Sequence, residues 1–235
     1  KDRSRLVTLE LTPKPSAQLS DVVAEVRATL EAHPVPSPSV AYKITGAYED
    51  QQETFGDLGM LMALIVILVF IVMAAQFESL VDPFVIMFSV PFAFSGVFLG
   101  LLITQIPLDT MSFIGMIMLI GIVVKNGIVL IDYIRLCRER GMSITQSVTT
   151  SGRSRLRPVL MTTLTTVLGM VPMALGIGEG SEMWQGMGVT VAWGLSLSTL
   201  VTLVLIPTLY ASLEARRVRR ERKRLEKKLI ARGAR

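Results

Sequence analysis

Lys125 is the residue best placed to do chemistry. It sits little more than halfway along an apolar stretch that runs from Met111 to Asp132. Such a stretch crosses a bilayer, since about 20 helical residues span about 30 Å of hydrocarbon. An ammonium at that depth costs about 2.5–3.5 kcal/mol on insertion scales. Something must offset that cost, so the lysine is expected to face a protein interior or a wet cavity and to have a partner, most simply an acid. Snorkelling is the alternative, but it suits helix ends rather than midpoints. Asn126 is a second polar group at the same depth, about a third of the way round the helix; it equally suits a bond to a neighbouring helix. Gly121, one turn before the lysine, leaves room for such a neighbour. Asp132 lies two turns beyond Lys125 on the same face, roughly 10 Å along the axis, which is far for a direct pair. It reads as a boundary residue. No other acid lies inside an apolar span. The partner of Lys125 is therefore expected outside this chain.

Thr162, Thr163, Thr165 and Thr166 form a second polar group, in a later apolar segment. A threonine hydroxyl can bond its own helix, and most such residues are structural. A run of them can also line a water path, and both readings stand at this point. The methionines of the middle spans suit packing better than a binding surface. The chain has one histidine, His33, and one cysteine, Cys137, so no internal disulfide forms. No Cys/His cluster has metal-ligand spacing, nothing resembles a phosphate loop, and no nucleophile–base set is present. No cofactor is expected, and an enzyme reading has no support.

The elements that must position these residues follow from composition. The chain is 51% hydrophobic and 18% charged, with mean hydropathy +0.53. That is the composition of a polytopic membrane protein. The net charge of +5 is no nucleic-acid signature, because the surplus lies beside apolar spans and at the C-terminus. The chain starts at Lys1 without an initiator Met or signal peptide, and reads as part of a longer protein.

Residues 1–55 are soluble in character. Arg5–Leu11 and Ser39–Thr45 read as strands. Between them, Ser20 reads as the N-cap of a helix from Asp21 to Ala32, with Val22, Val23, Val26 and Leu30 on one face. The expectation is a partial α+β (βαβ) segment that cannot bury enough surface to be stable alone. Residues 56–213 read as an all-α bundle of five transmembrane helices, at about 58–75, 83–103, 109–135, 157–175 and 186–211. Pro83 suits a helix start and Pro91 predicts a kink. The basic connection from Arg135 to Arg157 contains an amphipathic piece at Ile144–Val148. Residues 214–235 form a basic tail.

Basic residues set orientation. The connection after the third span carries Arg135, Arg138, Arg140, Arg153, Arg155 and Arg157, and the tail is as basic. The loops on the other side carry Asp109, Glu179 and Glu182. Basic segments and C-terminus are thus expected to be cytoplasmic and the N-terminal segment external. The turn Gln76–Asp82 falls on the cytoplasmic side yet lacks positive charge. The tail suits either anionic lipid, at about 1 kcal/mol per basic residue near the surface, or plain solvation.

At Gly121-Ile-Val-Val-Lys-Asn-Gly-Ile-Val-Leu-Ile-Asp132 the chain resembles the resistance-nodulation-division (RND) transporters, and most closely their hydrophobe/amphiphile multidrug efflux branch. Ala74-Ala-Gln-Phe-Glu-Ser-Leu80, Ser89-Val-Pro-Phe92, Leu108-Asp-Thr-Met-Ser-Phe-Ile-Gly115, Arg155-Leu-Arg-Pro-Val-Leu-Met-Thr162 and Gly169-Met-Val-Pro-Met-Ala174 carry the resemblance onward. It covers about Arg5 to Tyr210. Heavy-metal exporters of the superfamily look different at the Lys-Asn position.

The resemblance implies the C-terminal part of the second repeat, with residues 1–55 in a periplasmic porter subdomain and the spans as the eighth to twelfth of twelve. It implies a homotrimer in the bacterial inner membrane, working with a periplasmic adaptor protein and an outer-membrane channel on hydrophobic or amphiphilic substrates by proton/substrate antiport. Lys125 matches the family's proton-site lysine, which pairs with two aspartates of the first repeat. Thr162 matches a relay threonine and Arg155 an arginine at the cytoplasmic mouth; Asn126 accompanies Lys125. A membrane structural or regulatory module that uses the same helices without transport is the alternative. An acidic pair in a matching first repeat discriminates the two.

Overall fold

Among the described residues, five helical segments are long and apolar enough to cross a membrane. The computed structural model describes residues 8–11, 19–33 and 43–233. Its helices are α1 (Leu19–Ala32), α2 (Ala47–Phe77), α3 (Val81–Met87), α4 (Ser89–Thr104), α5 (Thr110–Glu139), α6 (Ile144–Ala174) and α7 (Gln185–Gly233), with a 3-10 turn at Ser181–Trp184 before α7. Helix is the form expected in hydrocarbon, because every backbone N–H and C=O finds its partner within the segment.

The chain divides into two units, Lys1–Asp57 and Leu58–Arg235. In the first, α1 turns the expected face inward: Val22, Val23, Val26 and Leu30 are its better-buried side chains. Ahead of α2, Lys43 pairs with Glu49 at 2.6 Å. The hydrogen bond to Glu49 and its negative charge hold the Lys43 ammonium above the usual lysine range.

The βαβ expectation is overturned. There is no strand among the described residues, and residues 8–11 and 43–45 have no regular secondary structure. Residues 5–7 and 39–42 of the expected strands lie outside the described residues. Leu9 and Leu11 are 85% and 67% exposed, so no sheet face covers them. Alternating sequence makes a strand only when neighbours complete the ladder, and an isolated pair is marginal. The described fold is therefore helical throughout, not α+β at its N-terminal end.

Several helix boundaries also differ from expectation. α2 begins at Ala47 rather than near 58, because Glu49 and Asp50 in its first turn suit the positive end of the helix dipole. The second span is two helices, broken at Phe88, three residues before Pro91. Gly141, at φ 85°, closes α5, leaving a short link to the next helix. The amphipathic piece at Ile144–Val148 is the first part of α6, launched by a capping box in which Ser143 and Gln146 bond each other's backbone. Pro158 lies inside α6 rather than at its start. α7 continues past the apolar stretch to Gly233, through Glu, Lys, Arg and Leu residues that all favour helix.

Burial separates centre from periphery. About half of the apolar stretch is buried in α3–α4, α5 and α7 (44%, 50% and 56%), against 6% in α2 and 11% in α6. α4 and α7 meet through glycines. A Cβ at Gly96 would lie 2.9 Å from the Leu197 Cβ and the Trp193 carbonyl, and one at Gly100 would lie 2.5 Å from the Trp193 Cβ. A Cβ at Gly194 would collide with the Leu119 side chain and lie 2.9 Å from a Val97 methyl. Gly96 and Gly100 form a small-xxx-small pair that lets the two backbones approach. Gly96→Ala should therefore cost about 1–3 kcal/mol of overpacking. Gly152→Ala, where a Cβ meets nothing within 4 Å, should cost nothing measurable. Thermal unfolding in detergent compares the two, and equal melting would show that the α4–α7 approach is not sterically set.

Candidate functional site

The site is built on α5. Asp109 caps its start, with Oδ1 accepting from the Ser112 N–H at 2.7 Å and the Ser112 hydroxyl at 2.6 Å. One face of α5 is core: Leu119, Ile120, Val123, Val124, Leu130, Ile131 and Ile134 are all nearly inaccessible. The opposite face is open. Met118, Gly121, Lys125, Asp132 and Leu136 are exposed along it, at helical spacing. A Cβ on Gly121 would meet nothing within 4 Å. Lys125 thus stands on an uncovered strip of helix at mid-span depth, and it makes no ion pair among the described residues. Asn126, next round the helix, is half-buried.

The threonines of α6 divide. Thr163 is buried and shares a hydrogen bond with Thr199 of α7 at 3.1 Å. Thr162 is exposed, its hydroxyl donating to the Val159 carbonyl at 2.9 Å. Thr165 and Thr166 donate to the carbonyls of Met161 and Thr162 at 2.8 and 2.9 Å. These three hydroxyls bond their own helix, as polar groups facing lipid or an absent neighbour do. Only Thr163 ties two helices together.

Arg155 is half-buried on α6. Its guanidinium carbon lies 4.6 Å above the ring of Tyr133 on α5, a cation–π contact. Its Nε is buried without a hydrogen-bond partner. Among the described residues, no hydrogen bond or ion pair joins Lys125, Asn126, Thr162 and Arg155 to one another. They sit on two adjacent helices whose outer faces are open.

Sequence reasoning missed a third cation. Arg135, near the end of α5, donates from Nη1 to the Phe77 carbonyl at 2.6 Å. The same nitrogen lies 3.7 Å from Oδ2 of Asp82, and the guanidinium carbon is 5.7 Å from the Phe77 ring centroid. The acidic turn that lacked positive charge receives it from this neighbouring helix. An arginine at a span's end, on the same side as an uncompensated acidic turn, was the available signal. Tyr133 and the Gly96/Gly100 spacing were also passed over.

With this geometry in place, comparison with known proteins is informative. A family model described as AcrB/AcrD/AcrF matches residues 1–214. The chain is 37% identical over 198 residues to the swarming motility protein SwrC of Bacillus subtilis, covering 81% of this chain and 18% of that protein. It is 34% identical to the cobalt-zinc-cadmium resistance protein CzcA of Cupriavidus metallidurans, covering 88% and 21%. It is 33% identical to the multidrug resistance protein MdtC of Proteus mirabilis, covering 89% and 20%. The crystal structure of a heavy metal efflux pump superposes with TM-score 0.76 at 30% identity, over 85% of this chain and 20% of that one. The chain spans about a fifth of the length of the relatives it matches.

The threonine geometry makes a test. A double-mutant cycle of Thr163→Val and Thr199→Val should give a coupling of about 0.6 kcal/mol, and at most ~1.7, typical of hydroxyl bonds between membrane helices. Thr162→Val, which breaks no bond between helices, should leave melting unchanged. A zero coupling in the cycle would remove Thr163 from the α6–α7 contact.

Proposed function

This chain belongs to the AcrB/AcrD/AcrF family of RND transporters, and from that premise we propose that it supplies the lysine half of a proton site in a proton-driven efflux pump. The observation that carries the proposal is Lys125, set at mid-span depth on an open face of α5 without an anionic partner among the described residues. A charge so placed requires an acid from elsewhere. In the full protein that acid is a carboxylate pair on the first repeat, packed over the strip from Met118 to Leu136.

The chemistry then follows from charge. With both carboxylates ionised, the ammonium is held between them. Protonation of one neutralises it, weakens the pull on Lys125, and lets the helices shift. Opposite charges favour ionisation of the pair and desolvation opposes it, so a small change in proton supply switches the site. Thr162 relays protons on α6, Arg155 guards the cytoplasmic mouth, and Asn126 supports the lysine. Residues 1–55 belong to a periplasmic porter segment, and the basic connection and tail face the cytoplasm of an inner-membrane, multi-pass homotrimer. A periplasmic adaptor and an outer-membrane channel complete the route.

For substrate we favour hydrophobic or amphiphilic compounds, on the Lys125-Asn126 pair. The relatives' names point both ways, since one is a multidrug and another a cobalt-zinc-cadmium resistance protein. Ethidium and Zn²⁺ tolerance of a pump-deficient host making the full-length protein separates them. Protection against ethidium supports this reading, and protection against Zn²⁺ alone replaces it with metal efflux.

Lys125→Arg tests the switching role. A fixed counter-charge would tolerate the change, since charge is kept. A switch would not: the planar guanidinium grips carboxylates with two bonds, holds them ionised, and resists release. We expect parental protein level and trimer but efflux close to that of Lys125→Ala, measured under a proton gradient on whichever substrate is protected. Half or more of parental efflux in Lys125→Arg, with none in Lys125→Ala, would reduce Lys125 to a static counter-charge.

A further inference from the structure

α2 is the least buried of the spans. It meets the bundle through Met62, Val66, Val69, Met73 and Phe77, an apolar seam without a polar tie. At its C-terminal end the contact changes character. The Phe77 carbonyl, one of the acceptors that a helix end leaves open, takes a hydrogen bond from Arg135 at 2.6 Å. The same guanidinium reaches Asp82 at the head of α3, at 3.7 Å, and lies 5.7 Å from the Phe77 ring. The Asp82 side chain is only 13% exposed. One guanidinium nitrogen thus bonds the carbonyl and faces the carboxylate, while the guanidinium carbon lies near the ring, a combination that suits arginine better than lysine. Charge-assisted bonds of this kind are also the stronger ones.

Both helices that meet here are continuous. Lys125 and Arg135 are ten residues apart on α5, roughly 15 Å of unbroken helix without proline. α2 likewise runs without proline from Phe77 to Ala47, past its apolar stretch to Glu49 and Asp50. A displacement of α5 at Lys125 thus has a continuous helix to travel along to Arg135.

We propose that Arg135 is a positioning residue that fastens α2 to α5, so that proton-linked movement of the Lys125 helix is carried into α2. The proposal rests on the transport reading above. It assigns Arg135 no contact with proton or substrate. A plain helix-end cap would hold the end of α2 in place at every pH; a fastener makes α2 follow α5 when α5 moves.

Spin labels on Gln76→Cys and Glu139→Cys, both exposed positions at the facing ends of α2 and α5, report the contact in the full-length protein freed of other reactive cysteines. The distance between them is measured at pH 8 and pH 6. With Arg135 present we expect one narrow distribution, the same at both values. In Arg135→Gln we expect a shift of about 2 Å on acidification, the usual scale of helix shifts. Arg135→Lys should give an intermediate shift. A distribution in Arg135→Gln that is narrow and unchanged by pH overturns the proposal, and so does one broadened equally at both pH values, which marks a simple cap. If Arg135→Gln does not assemble, Arg135→Lys decides by the same criteria, and failure of both variants to assemble makes Arg135 a folding residue and overturns the proposal. Adding Lys125→Ala to Arg135→Gln should abolish the shift. A shift that persists there sinks the proton role of Lys125 while leaving the Arg135 contact standing.

Discussion

A peptide group in hydrocarbon has no water to bond, so it must be satisfied by its own segment. The spans depend on that constraint. It makes α2, α5 and α6 long and unbroken, and it decides how the interruptions are handled. At the Phe88 break, Ser89 donates its hydroxyl to the Ile86 carbonyl at 2.6 Å. The hydroxyls of Thr162, Thr165 and Thr166 return to their own helix. Pro158 is tolerated within α6 because one freed carbonyl in a long helix is a local cost, whereas ending the helix there would free several. The C-terminal end of α2 meets the same requirement through a side chain, Arg135, which bonds the Phe77 carbonyl.

Three cations on neighbouring helices show three answers to the cost of charge near lipid. Arg135 meets a carbonyl, a carboxylate and a ring. Arg155 is partly accommodated, laid over Tyr133 with one nitrogen left bare. Among the described residues, Lys125 has neither acid nor ring. Depth in the span runs the other way: the least compensated cation is the deepest. Within this chain the deep lysine is the cation that still needs a partner.

Much of this was legible in the amino-acid sequence, and the reasons differ by element. The spans were readable because hydropathy over twenty residues is a sum, insensitive to any one residue. Their ends were not. Whether Glu49 lies in a loop or in a helix's first turn depends on capping, and whether Pro158 begins a helix or interrupts one depends on the residues before it. Lys125 was readable because its cost is intrinsic. Arg135 was not, because its meaning comes from Phe77, 58 residues away. The strand expectation fails over its described residues, 8–11 and 43–45, for a related reason. Alternation reports what a segment would do beside partner strands, and the described residues include no partner. Gly96 and Gly100 were visible as a spacing, but their partners, Gly194 and Trp193, become identifiable only once α7 is laid against α4.

Pro207 gives α7 a mechanical character that its other residues do not. It removes the bond to the Leu203 carbonyl inside a helix that runs on to Gly233. Beyond it the rod is roughly 39 Å long at 1.5 Å per residue. A change of bend of only 10° at the proline would swing the far end through about 7 Å, well beyond the 1–2 Å typical of helix shifts within a packed core. The core grips α7 on both sides of the proline, through Leu195, Thr199 and Ile206 before it and Leu209, Tyr210 and Leu213 after it. A bend at Pro207 is therefore resisted by packing for nearly two turns beyond it, and what passes Leu213 is what reaches the basic end.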